Sequence, residues 1–213
     1  MKIKKFITLI LVLSVSCPII YFGSLSLLKT LYPLKYEDYV EVYSKENNLS
    51  PSFVYAVIEC ESGFDNEAVS NVGATGLMQI MPDTFDWINM KLGEDTPYTM
   101  ATDPETNIKY GCFLYGYLTK KYGRVHEALA AYHAGIGNVD KWLSDESYSS
   151  DGETLRNIPF PTTSKYVKKV ILTESIYEKL YFRKDSFHEN NRSCRRPLPR
   201  AGGVPVLGLP DRR

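Results

Sequence analysis

Apolar side chains recur along most of this chain at the spacing of an α-helix. Between residues 51 and 62, the positions i, i+3, i+4 and i+7 hold Val54, Val57, Ile58 and Glu61. Ser50 and Pro51 mark the start of this helix, because a serine side chain caps the first turn and proline fits the first helical position. An acid, Glu61, therefore falls on the apolar face of a predicted helix.

Glu61 has two interpretations at this position. At the C-terminal end of a buried face, a carboxyl group loses contact with water and holds its proton longer, as a general acid must. Alternatively, the helix simply ends at Glu61 and the side chain turns into solvent. Glu59, two residues earlier, points to another side of the helix and provides an internal control.

The rest of the pattern predicts a mainly α domain with little or no sheet, since no run of alternating residues is long enough for a strand. Further helices are expected at residues 36–46, 82–92, 104–122, 124–134 and 162–182, with a short helix through Trp142 after a break at 135–137. Between them we expect an ordered loop rich in Asn, Ser and Gly at 65–76, a polar connection at 93–102, and a loop without a core pattern at 144–161.

Residues 6–28 form an apolar stretch of 23 positions and predict one N-terminal transmembrane helix. About 20 residues suffice to cross the hydrocarbon layer, whereas a cleavable signal peptide has a shorter apolar core. Residues 1–34 carry four lysines, three of them before the stretch, and no acid. The positive-inside rule then keeps the N terminus in the cytosol and places the following domain outside the membrane.

Two other interpretations of this N-terminal segment stay open. Small residues near Ser16 and Gly23 would suit a signal peptidase. Cys17 would suit lipidation, although Ser14 stands where a lipoprotein signal has leucine. Each alternative also exports the domain at residues 35–185.

The charge distribution argues against one class of function and distinguishes the C-terminal segment from the domain. Residues 35–185 carry 15 basic and 23 acidic side chains, and this acidic body argues against nucleic-acid binding, which requires a basic face. The three histidines and four cysteines are too scattered to predict a metal site. Residues 186–213, with six arginines and four prolines, predict a disordered tail whose composition raises the question of whether it is native.

Five short motifs follow one another in the domain. They are Glu61-Ser62-Gly63-Phe64, Gly76-Leu77-Met78-Gln79-Ile80-Met81-Pro82, Asn107-Ile108 with Gly111, Ala131-Tyr132-His133-Ala134-Gly135-Ile136-Gly137-Asn138-Val139, and Ile158-Pro159-Phe160-Pro161 with Tyr166-Val167. In order and spacing they resemble the soluble lytic transglycosylase family, lysozyme-like enzymes that cleave bacterial peptidoglycan. The resemblance covers about residues 36–180, which is nearly the whole domain.

The resemblance implies a lysozyme-like, largely helical fold with a cleft for a glycan strand, and neither a cofactor nor a metal. It places Glu61 at the position of the family's sole catalytic acid. The other matched positions are substrate-binding: Ser70 near the N-acetyl group of the muramyl sugar, Gln79 and Met81 lining the cleft, and Tyr132 and Tyr166 closing over the acid and the sugar. From the residues alone, both tyrosines also suit ordinary core packing.

The implied reaction is non-hydrolytic cleavage of the bond between N-acetylmuramic acid and N-acetylglucosamine, leaving 1,6-anhydro ends. A lysozyme-type muramidase and a catalytically silent peptidoglycan-binding scaffold are the alternatives. The expected partners are glycan strands and, through residues 6–28, the bacterial cell membrane, with the domain on its wall side. A wall-spanning machine is a further partner that the sequence does not identify.

One residue departs from the family pattern. His133 stands where the family commonly has asparagine. A neutral imidazole donates one hydrogen bond and accepts another, so activity need not be lost. We therefore expect an active enzyme whose pH dependence is tuned by His133.

Overall fold

The protein is a bundle of helices in a computed structural model, which describes the backbone of residues 2–182 and the side chains of residue 14 and residues 16–182. The α-helices are α1 (Lys2–Leu31), α2 (Glu37–Glu46), α3 (Pro51–Glu61), α4 (Pro82–Leu92), α5 (Pro104–Tyr122), α6 (Val125–Ala134), α7 (Ile136–Leu143) and α8 (Pro161–Tyr177). A π-helical turn, Glu178–Phe182, continues α8. Over residues 2–182 only isolated β-bridges occur, so the prediction of a mainly helical domain is confirmed.

Helix α3 forms the centre of the bundle and packs chiefly against α8. Its start follows the sequence signal, since the Ser50 side chain accepts a hydrogen bond from the Phe53 N–H group at 3.2 Å. Every side chain from residue 52 to residue 58 is buried. The expectation of a single apolar face on this helix was therefore too narrow, because neighbours cover α3 on all sides up to its last turn.

A buried asparagine fixes the loop that runs from α3 to α4. Asn107, on α5, accepts a hydrogen bond from the Met78 N–H group at 2.7 Å and donates to the carbonyl groups of Thr75 and Ala101. Gly76 lies against this side chain with φ of 82°, and a Cβ atom there would stand 2.2 Å from the Ala101 oxygen. Only glycine fits this close approach, so the loop is held rigidly on α5.

Two connections differ from the sequence prediction. The polar connection at 93–102 contains a 3₁₀ helix, Tyr98–Thr102, that its composition did not indicate. The loop at 144–161 has no core pattern in its sequence, yet Ser149 and Leu155 are both buried. The Leu155 N–H group donates to the carboxylate of Glu127 at 3.0 Å, which draws this loop onto α6.

The N-terminal helix α1 ends on the domain. The Tyr181 hydroxyl donates to the carbonyl of Tyr32 at 2.8 Å, and the Tyr177 hydroxyl donates to the carbonyl of Pro33 at 3.2 Å. Within the described residues no helix is long and apolar enough to span a membrane, so the predicted transmembrane helix is not confirmed. The side chains of residues 6–13 and 15 lie outside the description, as does the tail at 186–213.

Candidate active site

Glu61 occupies the last turn of α3 and is half-buried there. Burial removes its carboxyl group from water and raises its pKa from 4.5 to about 7. A hydrogen bond from Tyr166 and the positive charge of Lys169 oppose this rise without cancelling it. The carboxyl group is therefore poised to lose and regain a proton near neutral pH, and the interpretation in which Glu61 turns freely into solvent is not what the fold adopts.

Three tyrosines from three different helices surround Glu61. Tyr166 comes from α8, Tyr132 from α6 and Tyr115 from α5. The rings of Tyr115 and Tyr132 stack with centroids 4.3 Å apart, and the hydroxyl oxygens of Tyr115 and Tyr166 lie 2.8 Å apart. Burial, together with the nearby Glu61 charge, raises the pKa of each tyrosine well above 10. All three therefore keep their hydroxyl hydrogens at neutral pH.

The segment after Gly76 is tied to the end of α3 and to α6. Ser62, next to the acid, donates its hydroxyl hydrogen to the carbonyl of Leu77 at 2.9 Å. The Tyr132 hydroxyl donates to the carbonyl of Met78. Met78 itself is fully buried and packs against Gly111, where any larger residue would collide with its sulfur. These contacts hold the loop in a fixed position beside Glu61.

The remaining predicted site residues belong to this loop and do not bond to the acid. Gln79 has a left-handed backbone, with φ of 50°, and its amide donates to the carbonyls of Ala68 and Gly76 at 3.0 Å. The Ser70 hydroxyl accepts the Ala74 N–H at 2.9 Å. Met81 is exposed at the start of α4. Among the described residues no hydrogen bond joins any of these three side chains to Glu61, whereas the Tyr166 hydroxyl lies beside the acid and lowers its pKa.

Among the described residues, no other carboxylate forms a hydrogen bond or an ion pair with Glu61. Asp65 caps its own loop by accepting the Glu67 N–H at 3.0 Å, and Glu67 accepts from Asn66. Glu59 is half-buried, and burial raises its pKa while Lys169 and Lys35 lower it. Glu59 therefore shares the helix of Glu61 and is also half-buried, but no tyrosine hydroxyl is among the groups that shift its pKa.

His133 contacts the helix that carries Tyr166. Its ring lies 4.7 Å from the Tyr166 ring, and its Nδ1 atom lies 3.0 Å from the Thr163 hydroxyl. Partial burial lowers the pKa of this histidine below 6.5, which favours the neutral ring at neutral pH. His133 thus links α6 to α8 directly beside the site.

The five sequence motifs do not include Tyr115, and its bond to Tyr166 was not predicted. The only signal in the sequence was a tyrosine at a fully buried helical position, where a hydroxyl needs a partner. A separate pocket of about 330 Å³ lies between α4, α5 and α6 and shares Tyr132 with the site. It is lined by Asp83, Thr84, Trp87, Leu114, Leu118, Ala131, Tyr132, Gly135 and Ile136.

The chain is similar to proteins of a known family. Over 79% of its length the chain is 33% identical to the soluble lytic murein transglycosylase of Salmonella typhimurium, of which it covers 27%. Over 68% it is 28% identical to the membrane-bound lytic murein transglycosylase C of Edwardsiella ictaluri, covering 47% of that protein. The chain spans about a quarter of the length of the soluble relative.

The fold has a solved counterpart as well. The crystal structure of the 70-kDa soluble lytic transglycosylase from Escherichia coli matches 71% of this chain with a TM-score of 0.64 and 30% sequence identity, over 25% of its own length. The model of the transglycosylase SLT domain matches residues 38–154, which is more than half of the chain and includes Glu61 and Tyr132. The chain belongs to the transglycosylase SLT domain family.

Proposed function

We propose that this protein is a lytic transglycosylase that cleaves bacterial peptidoglycan between N-acetylmuramic acid and N-acetylglucosamine. The observation that carries the proposal is one half-buried acid, Glu61, which lies beside tyrosine hydroxyls and whose pKa burial raises to about 7. Glycosidases that use two carboxylates need both next to the bond, whereas substrate-assisted enzymes need one. The single acid and the family membership together favour one-acid chemistry.

The reaction uses Glu61 twice. As the acid, it gives its proton to the glycosidic oxygen, and the bond from that oxygen to C1 of the muramyl sugar breaks. The muramyl N-acetyl oxygen stabilises the positive charge that develops at C1. Glu61, now a carboxylate, takes the proton from the muramyl 6-hydroxyl as that oxygen bonds to C1. The product is a 1,6-anhydro ring, Glu61 regains its proton, and no water is consumed.

The neighbouring side chains then have distinct roles in binding. Tyr166 and Tyr132 supply hydroxyl groups and flat faces, which suit the mixed polar and apolar surface of a sugar. We assign Ser70 to the N-acetyl group and Gln79 and Met81 to the cleft wall. Ser70 and Gln79 are held by bonds within their own loop, so the loop presents them already oriented.

A more specific proposal concerns where the protein lies in the cell. The apolar stretch at 6–28 and the lysines before it support an anchor in the bacterial membrane, with residues 35–185 on the wall side. Similarity to a relative named membrane-bound agrees with an anchor, while the relative of higher identity is named soluble. A domain anchored in this way would stay near the membrane. It would suit cleavage of glycan strands close to the membrane surface, or near a wall-spanning machine.

Mass spectrometry of the fragments released from purified sacculi tests the proposed activity. The full-length protein should release muropeptides with 1,6-anhydro ends, which are one water lighter than reducing ends. Glu61→Gln should release none, because an amide cannot donate a proton to the glycosidic oxygen. Glu59→Gln is the matched control, since it removes a half-buried acid from the same helix and should keep the product pattern.

The other outcomes are equally clear. Reducing ends would mean that water enters the cleft and that the protein is a muramidase. Release of no fragments by the parent protein, with Glu61→Gln identical to it in binding to sacculi, would mean a scaffold. Retained anhydro release in Glu61→Gln would remove this residue from the mechanism.

A further inference from the structure

We propose that Tyr115 is a positioning residue for the acid: its hydroxyl donates to Tyr166 and thereby directs the Tyr166 hydroxyl hydrogen toward Glu61. The inference rests on the proposed function, since Glu61 is the group whose proton is being controlled. It concerns a residue on α5 that none of the five sequence motifs contains.

The Tyr115 ring has no freedom to point elsewhere. The residue is completely buried, its ring stacks on Tyr132 at 4.3 Å with the planes 9° apart, and Phe53 packs edge-on at 5.1 Å. In this clamp the Tyr115 hydroxyl lies 2.8 Å from the Tyr166 hydroxyl. Three aromatic side chains from α5, α6 and α3 therefore fix one oxygen next to the hydroxyl that contacts the acid.

Hydrogen-bond satisfaction decides which hydroxyl donates. Each phenol has one hydrogen, and a buried hydroxyl hydrogen without an acceptor is costly. Among the described contacts, Tyr166 is the only hydrogen-bond partner of the Tyr115 hydroxyl, whereas the Tyr166 hydroxyl also lies beside the Glu61 carboxyl group, which gives its hydrogen an acceptor. If Tyr166 donated to Tyr115, the Tyr115 hydrogen would have no acceptor. The order Tyr115 to Tyr166 to Glu61 satisfies both hydrogens.

This order has a chemical consequence for Glu61. Because the Tyr166 oxygen already accepts from Tyr115, it is a poor acceptor for the proton of the neutral acid. That proton stays available for the glycosidic oxygen. The same chain polarises the Tyr166 O–H group, which stabilises the carboxylate that forms when the proton leaves. Tyr115 thus acts on both halves of the proposed reaction without touching the substrate.

Other charged and titratable groups also face Glu61, and the test must separate them from Tyr115. They are Tyr166 and Lys169 from α8, Tyr132 from α6, and Cys60 from α3 itself. Substituting Tyr115 with phenylalanine leaves all of these in place. It removes one oxygen and keeps the ring that packs between Phe53 and Tyr132.

The test is a direct titration of the Glu61 carboxyl group by NMR in full-length protein labelled with ¹³C at glutamate carboxyls, with the signal identified by its loss in Glu61→Gln. Tyr115→Phe should raise the pKa of Glu61 by roughly half a unit to one unit, the size of one net hydrogen bond. Tyr177→Phe is the matched control, because it removes a buried tyrosine hydroxyl that bonds to the Pro33 carbonyl, away from the acid. It should leave this pKa unchanged.

A double variant shows whether Tyr115 acts through Tyr166. In a Tyr166→Phe background, Tyr115→Phe should produce no further shift, since the intermediate hydroxyl is absent. Neutron diffraction of the parent protein provides a check that needs no variant. Deuterium on Tyr115 should point at the Tyr166 oxygen, and deuterium on Tyr166 should point at Glu61.

The proposal is overturned by an unchanged or lowered Glu61 pKa in Tyr115→Phe, by equal shifts in Tyr177→Phe, or by deuterium on Tyr166 pointing at Tyr115. None of these readouts depends on turnover. A parent protein that released no anhydro fragments would defeat the proposed function and leave the relay intact. A failed relay in an active enzyme would do the reverse.

Discussion

Two buried acids in this domain, Glu61 and Glu127, face opposite electrostatic surroundings. Glu61 ends α3, where the carbonyl end of the helix disfavours a negative charge, and its pKa is raised to about 7. Glu127 stands in the first turn of α6, where the N–H end of the helix favours one. Its side chain is more deeply buried than that of Glu61, yet its pKa is lowered.

The partners of Glu127 explain the difference. Burial alone would raise its pKa, but hydrogen bonds from His126 and from the Leu155 N–H group outweigh burial and stabilise the carboxylate. Both bonds fall on one oxygen, and the other has no hydrogen-bond partner within residues 2–182. Glu127 is therefore built to stay charged and hold a loop, while Glu61 is built to exchange a proton. Burial by itself does not identify a catalytic acid.

The largest expected difference between Glu61 and Glu127 is the effect of their substitution on enzymatic activity. Glu61→Gln should lower anhydro-muropeptide release by about 10²–10⁴-fold, the range for loss of a general acid. Glu127→Gln should keep most of the parent rate per folded molecule, because its carboxylate contacts a loop and not the site. Initial rates normalised to the folded fraction by circular dichroism provide the measurement. Similar losses in both variants would contradict the distinction.

The next effect separates them by stability, with opposite signs. The raised pKa of Glu61 makes its charge unfavourable in the folded state, a penalty absent below about pH 4.5 and complete above about pH 7. Glu61→Gln should thus stabilise the fold at pH 8 by roughly 2 kcal/mol, after allowance for partial exposure of the carboxyl group.

Glu127→Gln should act the other way. The lowered pKa of Glu127 means that its charge stabilises the fold above the unfolded pKa of about 4.5, and that this contribution is lost as pH falls. The substitution should cost about 1–3 kcal/mol at pH 8 and much less at pH 3. Urea unfolding of both variants at the two pH values measures the signs, and equal signs at pH 8 would refute this account.

A smaller effect concerns the pH dependence of the parent. Because Glu61 must be protonated at the start of the reaction, the rate on sacculi should fall about tenfold for each pH unit above about 7. In Glu59→Gln the midpoint should stay in place, since Glu59 is not the acid. A midpoint near pH 4.5 would mean that the environment of Glu61 does not raise its pKa in solution.

The smallest effect concerns His133. Its ring packs on Tyr166, so His133→Asn should shift the pH–rate midpoint by a few tenths of a unit and leave the maximum rate within about threefold. Thr163→Val is a useful companion, because it removes the hydroxyl at 3.0 Å from the histidine and leaves the contact between the His133 and Tyr166 rings in place. An unchanged profile in His133→Asn would defeat the idea that this residue tunes the enzyme.

The sequence predicted the helices well where short-range signals mark their ends. Pro82 opens α4 and Pro104 opens α5, where the Asp103 side chain accepts the Thr106 N–H at 2.9 Å. Gly93 and Gly123 close these two helices in the left-handed conformation, with φ of 70° and 69°. Such signals act within a few residues, so pattern reading located both helices.

Long-range pairing was not predictable in the same way. Tyr115 and Tyr166 are 51 positions apart, and Glu127 and Leu155 are 28 apart. Helical spacing shows that Tyr115 is buried but not which hydroxyl it meets, because that depends on how α5 and α8 pack. Likewise, the loop at 144–161 lacks an apolar period, yet Leu155 is drawn inside by a backbone N–H group that needs a partner. The sequence predicted that Glu61 lies on a buried face of its helix, but it did not predict the hydrogen bond between Tyr115 and Tyr166.

The tyrosine hydroxyls that receive the end of α1 have a mechanical consequence. The carbonyls of Tyr32 and Pro33 accept hydrogen bonds from Tyr181 and Tyr177, in and just beyond the helix that carries Tyr166. The end of α1 is thus joined to the domain by two side-chain hydrogen bonds as well as by the backbone. Any restraint on the N-terminal end of α1 would therefore also restrain the distance and the orientation of the domain relative to it. In the proposed function, this would limit which glycan strands Glu61 can contact.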